Sequence, residues 1–198
     1  MENHYDVEEF NSIVKHRRSV YPNQFVKDKT IPDEIIYEIL ENANRAPTHK
    51  LTQPWRFTVF AGKGRQLFSD LQIEIYSKYA HENFKEKKLK NLREYPLLSS
   101  HIIVVGMKRS VMTAIPEIEE IIATACAIEN LFLSLTAYGL AGYLSTGGIT
   151  YMEEAKLHFD LGPEDKLIGT FFIGYPEDLS NPLTKRTPIV DKVKWISE

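Results

Sequence analysis

A single cysteine, Cys126, stands in a chain of 198 residues. No intrachain disulfide can form, which argues against a secreted fold built on disulfide staples. Charge of one sign is also scarce: 24 Lys and Arg oppose 27 Asp and Glu, a net charge of −3. That balance gives no reason to expect general binding to nucleic acid or to an acidic membrane surface. Long hydrophobic runs are missing too. The best candidate, "IIATACAIENLFLSL", is interrupted by Glu129 and Asn130, so no membrane span is expected. The N-terminal "MENHYDVEEF" lacks the basic and apolar stretches of a signal peptide, and the expected compartment is the cytoplasm. Several chemistries lack their signatures. The six histidines (His4, His16, His49, His81, His101, His158) are scattered without zinc-binding spacing, and no metal site is expected. There is no G-x-G-x-x-G after a strand, no phosphate-binding P-loop and no G-x-S-x-G elbow. Cys126 lies in an apolar helical pattern, where a thiol is inert more often than nucleophilic.

What is present is an ordinary globular composition, 43% hydrophobic and 26% charged, enough for one domain over residues 1–198. Helical spacing marks Val7 to Arg18, with Pro22 unable to continue it. A second helix, "IPDEIIYEILENANRA", has Pro32 in its first turn and Asp33 and Glu34 at its dipole-positive end. "WRFTVFAG" reads as a strand, followed by helical segments from about Arg65 to Arg93. "HIIVVGM" reads as a buried strand. The longest helical pattern runs from Pro116 to Tyr138 and is apolar nearly all round beyond its first turn, as in a core or a subunit interface. A strand running into a glycine turn ("GLAGYLSTGGIT"), a helix ("YMEEAKLHFD"), another apolar strand ("KLIGTFFIGYP") and a proline-containing tail that wraps over some other surface complete the chain. Helices mixed with about four strands suggest an α/β-type domain.

Four stretches could carry chemistry. "HRRS" (His16 to Ser19) places two guanidiniums and a hydroxyl at a helix end. A guanidinium fork meets two phosphate oxygens at once, yet cations there also simply favour the helix dipole. "RAPTHKLTQPWRF" (Arg45 to Phe57) crowds Arg45, His49, Lys50, Gln53 and Trp55 into one connection flanked by Pro47 and Pro54. Its amide, imidazole and ammonium groups suit the polar edge of a planar ligand. Alternatively Gln53 bonds the loop backbone, His49 is solvated, and Trp55 is a packing residue, the reading favoured for so large an aromatic. "STGG" (Ser145 to Gly148) offers backbone N–H groups, hydroxyls and room for a close approach, or is only a turn. Lys185 and Arg186 are a second phosphate contact or a solvated pair. The basic run "KEKKLKNLRE" reads as a solvated helix face.

In this order, "RRS", "RAPTHKLTQPWRF", "GLAGYLSTGG" and "LIGTFFIGYP" resemble the nitroreductase family of FMN-dependent oxidoreductases, over about Val7 to Arg186. The compact bacterial branch, with A-P-x-H-K-x-x-Q-P-W-R-F, is the most similar. The resemblance implies an α+β fold: a central, mostly antiparallel sheet flanked by helices, in an interlocked homodimer with exchanged tails and FMN at the subunit interface. It implies that Arg17 and Ser19 meet the FMN phosphate and ribityl end, with Arg18 contributing. Arg45 and His49 would approach from the partner subunit, with Gln53 in the same loop. Leu144, Ser145 and Thr146 would line the ring, and the Gly147 backbone would face its reactive edge. Lys185 or Arg186 would supply the tail cation. No catalytic acid–base residue is expected, since the cofactor carries the chemistry. NAD(P)H is the implied donor and a nitroaromatic, quinone or similar electrophile the acceptor. The rival expectations are a same-fold flavoenzyme with other chemistry (dehalogenation, flavin fragmentation, desaturation), a non-catalytic FMN-binding or sensing protein and, most remote, a nucleic-acid module using Arg17, Arg18 and Lys85 to Arg93.

Overall fold

The computed structural model describes residues 5–112, 114–178 and 185–197. Helix α1 spans Val7–His16; the Asp6 carboxylate caps it, accepting from the N–H groups of Glu8 and Glu9 at 2.8 and 3.0 Å. Helix α2 spans Asp33–Ala43 and strand β1 Trp55–Ala61. Helices α3 (Gly64–Tyr79) and α4 (Glu86–Leu98) follow, then β2 (His101–Met107) and α5 (Glu117–Ala137). Strand β3 (Ala141–Ser145), the single turn α6 (Glu153–Lys156) and β4 (Lys166–Gly174) complete the order.

The four strands form one sheet in the order β1-β2-β4-β3. Every neighbouring pair is antiparallel. The fold is therefore α+β, which corrects the α/β reading of the element order and agrees with the resemblance. Helices separate the strands in the chain, a pattern that suggests parallel crossovers. Here each connection returns the chain in the opposite direction, which period counting cannot reveal.

Strand side chains alternate between faces, and β2 uses both. Ile103 and Val105 join α2 and α5 in one core with Phe171 and Ile173. Ile102 and Val104 join α3 and α4 in another with Phe68, Tyr76 and Phe172. β2 is buried at every position, as its unbroken apolar run predicts. Each aliphatic side chain so buried contributes about 1.5–3 kcal/mol of transfer free energy.

Three elements differ from their sequence-based expectations. The helix predicted over "YMEEAKLHFD" is only α6 plus a 3-10 turn at Leu157–Phe159, and it ends where Asp160 turns left-handed at φ 54°. Helix α5 is long and apolar enough to cross a membrane by length and composition, yet half of its most apolar stretch is buried inside the fold. Its remaining surface exposes Ile118 and Ile122. The tail from 185 to 197 is exposed throughout, including Ile189, Val190, Trp195 and Ile196. The surface it was expected to wrap over is not identified by its exposure, and residues 179–184 and 198 of the expected tail lie outside the described residues.

Candidate functional site

Arg17 follows the last turn of α1, and its N–H donates to the Ile13 carbonyl at 3.0 Å. Its guanidinium reaches α5, 3.5 Å from the Glu129 carboxylate and 5.1 Å above the Phe132 ring. Arg18 is half-buried and Ser19 exposed. The chain then runs along the outer edge of β3. Ser19 forms a parallel bridge to Gly142, and the Val20 N–H donates to the Gly142 carbonyl at 3.1 Å. Gly142 itself lets β3 lie close on the core, because a Cβ there would overlap the Phe171 ring and crowd Leu135. Thus the "RRS" motif is seated on the strand that ends in "LSTGG".

Beyond Ser145 the chain turns at Gly148 (φ +65°), and the Thr150 hydroxyl closes the turn by donating to the Gly147 carbonyl at 2.8 Å. Leu144, Ser145, Thr146 and Gly147 line one wall of a cavity of about 290 Å³. Gln72 of α3 and Lys88, Asn91 and Tyr95 of α4 line the other. Tyr143 is packed against Tyr21 (ring centroids 4.5 Å apart) and Tyr95 (6.1 Å). Burial, followed by the neighbouring Tyr21, pushes the pKa of both Tyr95 and Tyr143 above the ordinary phenol value. Both rings therefore stay neutral over the physiological range.

The Arg45–Phe57 connection is built differently. The Asn44 side-chain oxygen accepts from Trp55 Nε1 at 3.0 Å, and Trp55 is buried, so it is the packing residue its size suggested. Thr48 and Thr52 share a hydroxyl hydrogen bond of 2.8 Å, and the Gln53 N–H donates to Thr48 at 3.3 Å. Lys50, Leu51 and Gln53 all take positive φ (48°, 55° and 46°) without being glycine. Left-handed backbone at such residues costs about 1–3 kcal/mol each and concentrates at functional sites. His49 Nδ1 lies 2.5 Å from the Glu119 carboxylate at the start of α5. The side chains of Arg45, His49 and Gln53 all lie on the exposed surface.

The expected residues therefore fall into two groups. Arg17, Arg18, Ser19 and Leu144 to Gly147 share the β3 edge. Arg45, His49 and Gln53 precede β1 on the opposite edge of the sheet, at the same end as Ser145. Three inter-strand spacings of about 4.8 Å, roughly 14 Å, separate the edges. One chain does not bring the groups together. Lys185 and Arg186 are exposed in the tail and join neither.

The resemblance also implies that Lys78 to Arg93, where the family varies a lid over the site, influences acceptor choice, and α4, which begins in that stretch, supplies Lys88, Asn91, Leu92 and Tyr95 to the cavity wall. These four follow i, i+3, i+4, i+7 spacing, the signature of one helix face. That stripe was the available signal, and the surrounding charge obscured it.

The nitroreductase family model matches residues 14–175, most of the chain. The chain belongs to the nitroreductase family. It is similar to the Bacillus subtilis protein named "Putative NAD(P)H nitroreductase YfhC", with 27% identity over 181 residues, 91% of this chain and 90% of that one. A crystal structure of a nitroreductase-like family protein from Bacillus cereus superposes with a TM-score of 0.80 at 26% identity, covering 100% of both chains. The FMN-dependent nitroreductase NfnB of Mycobacterium smegmatis, solved with NADPH, shares the fold at TM-score 0.74 and 17% identity, over 97% of this chain and 100% of that one. Within this nitroreductase, the two motif groups occupy the two edges of one sheet.

Proposed function

We propose that the chain is a single-domain, cytoplasmic FMN-dependent oxidoreductase that takes electrons from NAD(P)H and delivers them to a nitroaromatic, a quinone or a similar acceptor. The observation that carries this reading is the pairing of Ser19, directly after Arg17 and Arg18, with Gly142, beside the Leu144–Gly147 wall of the cavity. The donor set fits a flavin mononucleotide. Two guanidiniums and a hydroxyl suit a phosphate monoester and a polyol chain. Ser145, Thr146 and Gly147 offer a planar ring small side chains and bare backbone, and Lys88 stands beside them, 3.7 Å from where a Gly147 Cβ would lie.

When bound, FMN supplies the hydride-accepting and electron-donating centre. The protein groups have narrower tasks. Arg17 and Ser19 hold the phosphate and ribityl end, with Arg18 supporting them. Leu144, Ser145, Thr146 and the Gly147 backbone position the ring. Arg45, His49 and Gln53 come from the partner subunit to the polar edge, and Lys185 or Arg186 adds a tail cation. In the single chain, Glu119 engages His49 Nδ1, which leaves Nε2 for a ligand.

A homodimer supplies what one chain lacks. Val7, Phe10 and Val14 of α1, Ile118 and Ile122 of α5 and the apolar tail residues are all exposed. Apolar side chains gathered on an exposed surface mark interaction sites. We infer that a second copy covers these residues, that the tails cross between subunits, and that each site combines the β3 edge of one subunit with the 45–53 loop of the other.

Donor and acceptor use the same open face in turn. With a nitro acceptor, NAD(P)H and one proton yield NAD(P)⁺, the nitroso product and water; a quinone gives its hydroquinone. The test is steady-state kinetics with NADPH and a quinone on FMN-saturated protein. Parallel double-reciprocal lines are expected. Intersecting lines would exclude alternating use of one site, and no turnover with any acceptor would favour a binding or sensing role.

A further inference from the structure

Helix α4 carries a strongly basic first half. Residues 85–93 hold Lys85, Lys87, Lys88, Lys90 and Arg93 against a single carboxylate, Glu86. Lys85, Lys87 and Lys90 point to solvent, and Lys90 pairs with Glu94 at 3.8 Å. Lys88 differs. It is half-buried and lines the cavity, and its Nζ lies 3.7 Å from the position of a Cβ built on Gly147. The Tyr76 ring supports the ammonium from 5.3 Å. Among the described residues no carboxylate pairs with it.

The helix segment that carries Lys88 is held against α3. Tyr76 is buried, and its hydroxyl donates to the Asn83 carbonyl and accepts from the Lys85 N–H, both at 3.0 Å. The Gln72 amide donates to the Leu92 carbonyl, tying α3 to α4 one turn further on. Asn91 lines the cavity one turn after Lys88, and among the described residues its amide has no hydrogen-bond partner. An ammonium and an unengaged amide therefore share one helix face above the glycine turn. Neutral tyrosine rings bound the same cavity, so an ion pair formed there is less hydrated than one at the surface.

We propose that Lys88 and Asn91 form a carboxylate subsite in the cavity wall, so that the acceptor is an aromatic carboxylate. This rests on the flavin reading above. Lys88 selects the acceptor, and Asn91 orients the carboxylate as a second hydrogen-bond donor. The other anion that could occupy such a subsite is the phosphate of the cofactor itself, and the test separates the two.

The experiment compares 4-nitrobenzoate with the isosteric neutral 4-nitrobenzamide on the wild type, Lys88→Ala, Lys88→Arg and Asn91→Ala. FMN affinity is measured alongside by flavin-fluorescence titration, and [14C]benzoate binding by equilibrium dialysis. A charge-assisted contact of this kind predicts that Lys88→Ala raises KM for the carboxylate about tenfold while the amide changes less than about twofold. Lys88→Arg should recover most of the loss, Asn91→Ala should show a smaller loss with the same preference for the carboxylate, and FMN affinity should hold. Equal losses for carboxylate and amide would overturn the proposal. So would a weakened FMN affinity with an unchanged carboxylate-to-amide ratio, which would assign Lys88 to the cofactor phosphate. The dialysis does not depend on turnover. Benzoate retained by the wild type and lost from Lys88→Ala would uphold the subsite even if the flavin reading failed, and no benzoate retention by the wild type would sink it.

Discussion

Replacing Arg17 by alanine removes a guanidinium that is mostly shielded yet paired only loosely, 3.5 Å from Glu129. A partly exposed ion pair of that kind contributes about 0–1 kcal/mol, so the urea midpoint should barely move. FMN affinity should fall at least about tenfold, because the lost contact to phosphate is a charge-assisted one; fluorescence titration reads it, and an unchanged affinity would remove Arg17 from the phosphate site. Trp55→Phe should behave in the opposite way. It forfeits the Nε1 hydrogen bond to Asn44, about 1 kcal/mol of stability by urea denaturation, and should leave FMN affinity alone. Single residues were unevenly legible. Trp55 could be read as packing because large aromatics are costly to leave wet. His49 is recognisable as a polar loop residue, but its contact with Glu119, 70 positions away, has no local signature. Lys88 was hidden because it stands among four other cations, and which of them turns inward depends on how α4 lies on α3.

Among the elements, β3 and the segment paired to its edge are the most sensitive. Gly142→Ala forces a methyl group toward Phe171 and Leu135 and should cost about 1–3 kcal/mol by overpacking, read as a lower urea midpoint. Because the Gly142 carbonyl also holds Val20, the same variant should retain FMN poorly. The cavity tyrosines give a pH prediction. The folded pKa values of Tyr95 and Tyr143 lie above the ordinary value, chiefly through burial. Their contribution is therefore complete below the unfolded phenol pKa, about 10, and is lost as pH rises through the higher folded values. Urea midpoints should fall above about pH 10, and Tyr143→Phe should flatten that fall. The strands and long helices were legible in the sequence because their apolar periods are strong, as in the unbroken run of β2. The α6 region was not, because Asp160 stops it after one turn and a left-handed stop at an aspartate carries little sequence signal. Strand direction was not legible either, since antiparallel return is decided by packing across the sheet.

At the scale of the whole molecule, the separation of the two motif groups is the observation on which the proposed dimer rests. The recurrence of four motifs in one order carried the family assignment, and the sheet with helices on both faces agrees with it. What no linear reading could supply is that "RRS" and "STGG" share one edge while the Arg45–Phe57 loop sits at the other. Removing residues 185–198 should convert a dimer into a monomer and abolish FMN retention without unfolding the sheet. Analytical ultracentrifugation and circular dichroism check this together, and a truncated chain that remains dimeric would show that the tail is not the clasp. The most direct test of the central claim is the visible absorption spectrum of the purified protein, recorded anaerobically before and after NADPH and then NADH. A bound-flavin spectrum that bleaches with one or both nucleotides is the expected result. A colourless protein that takes up no added FMN would contradict it, and the strained loop from Arg45 to Phe57 would then have to be explained by packing alone.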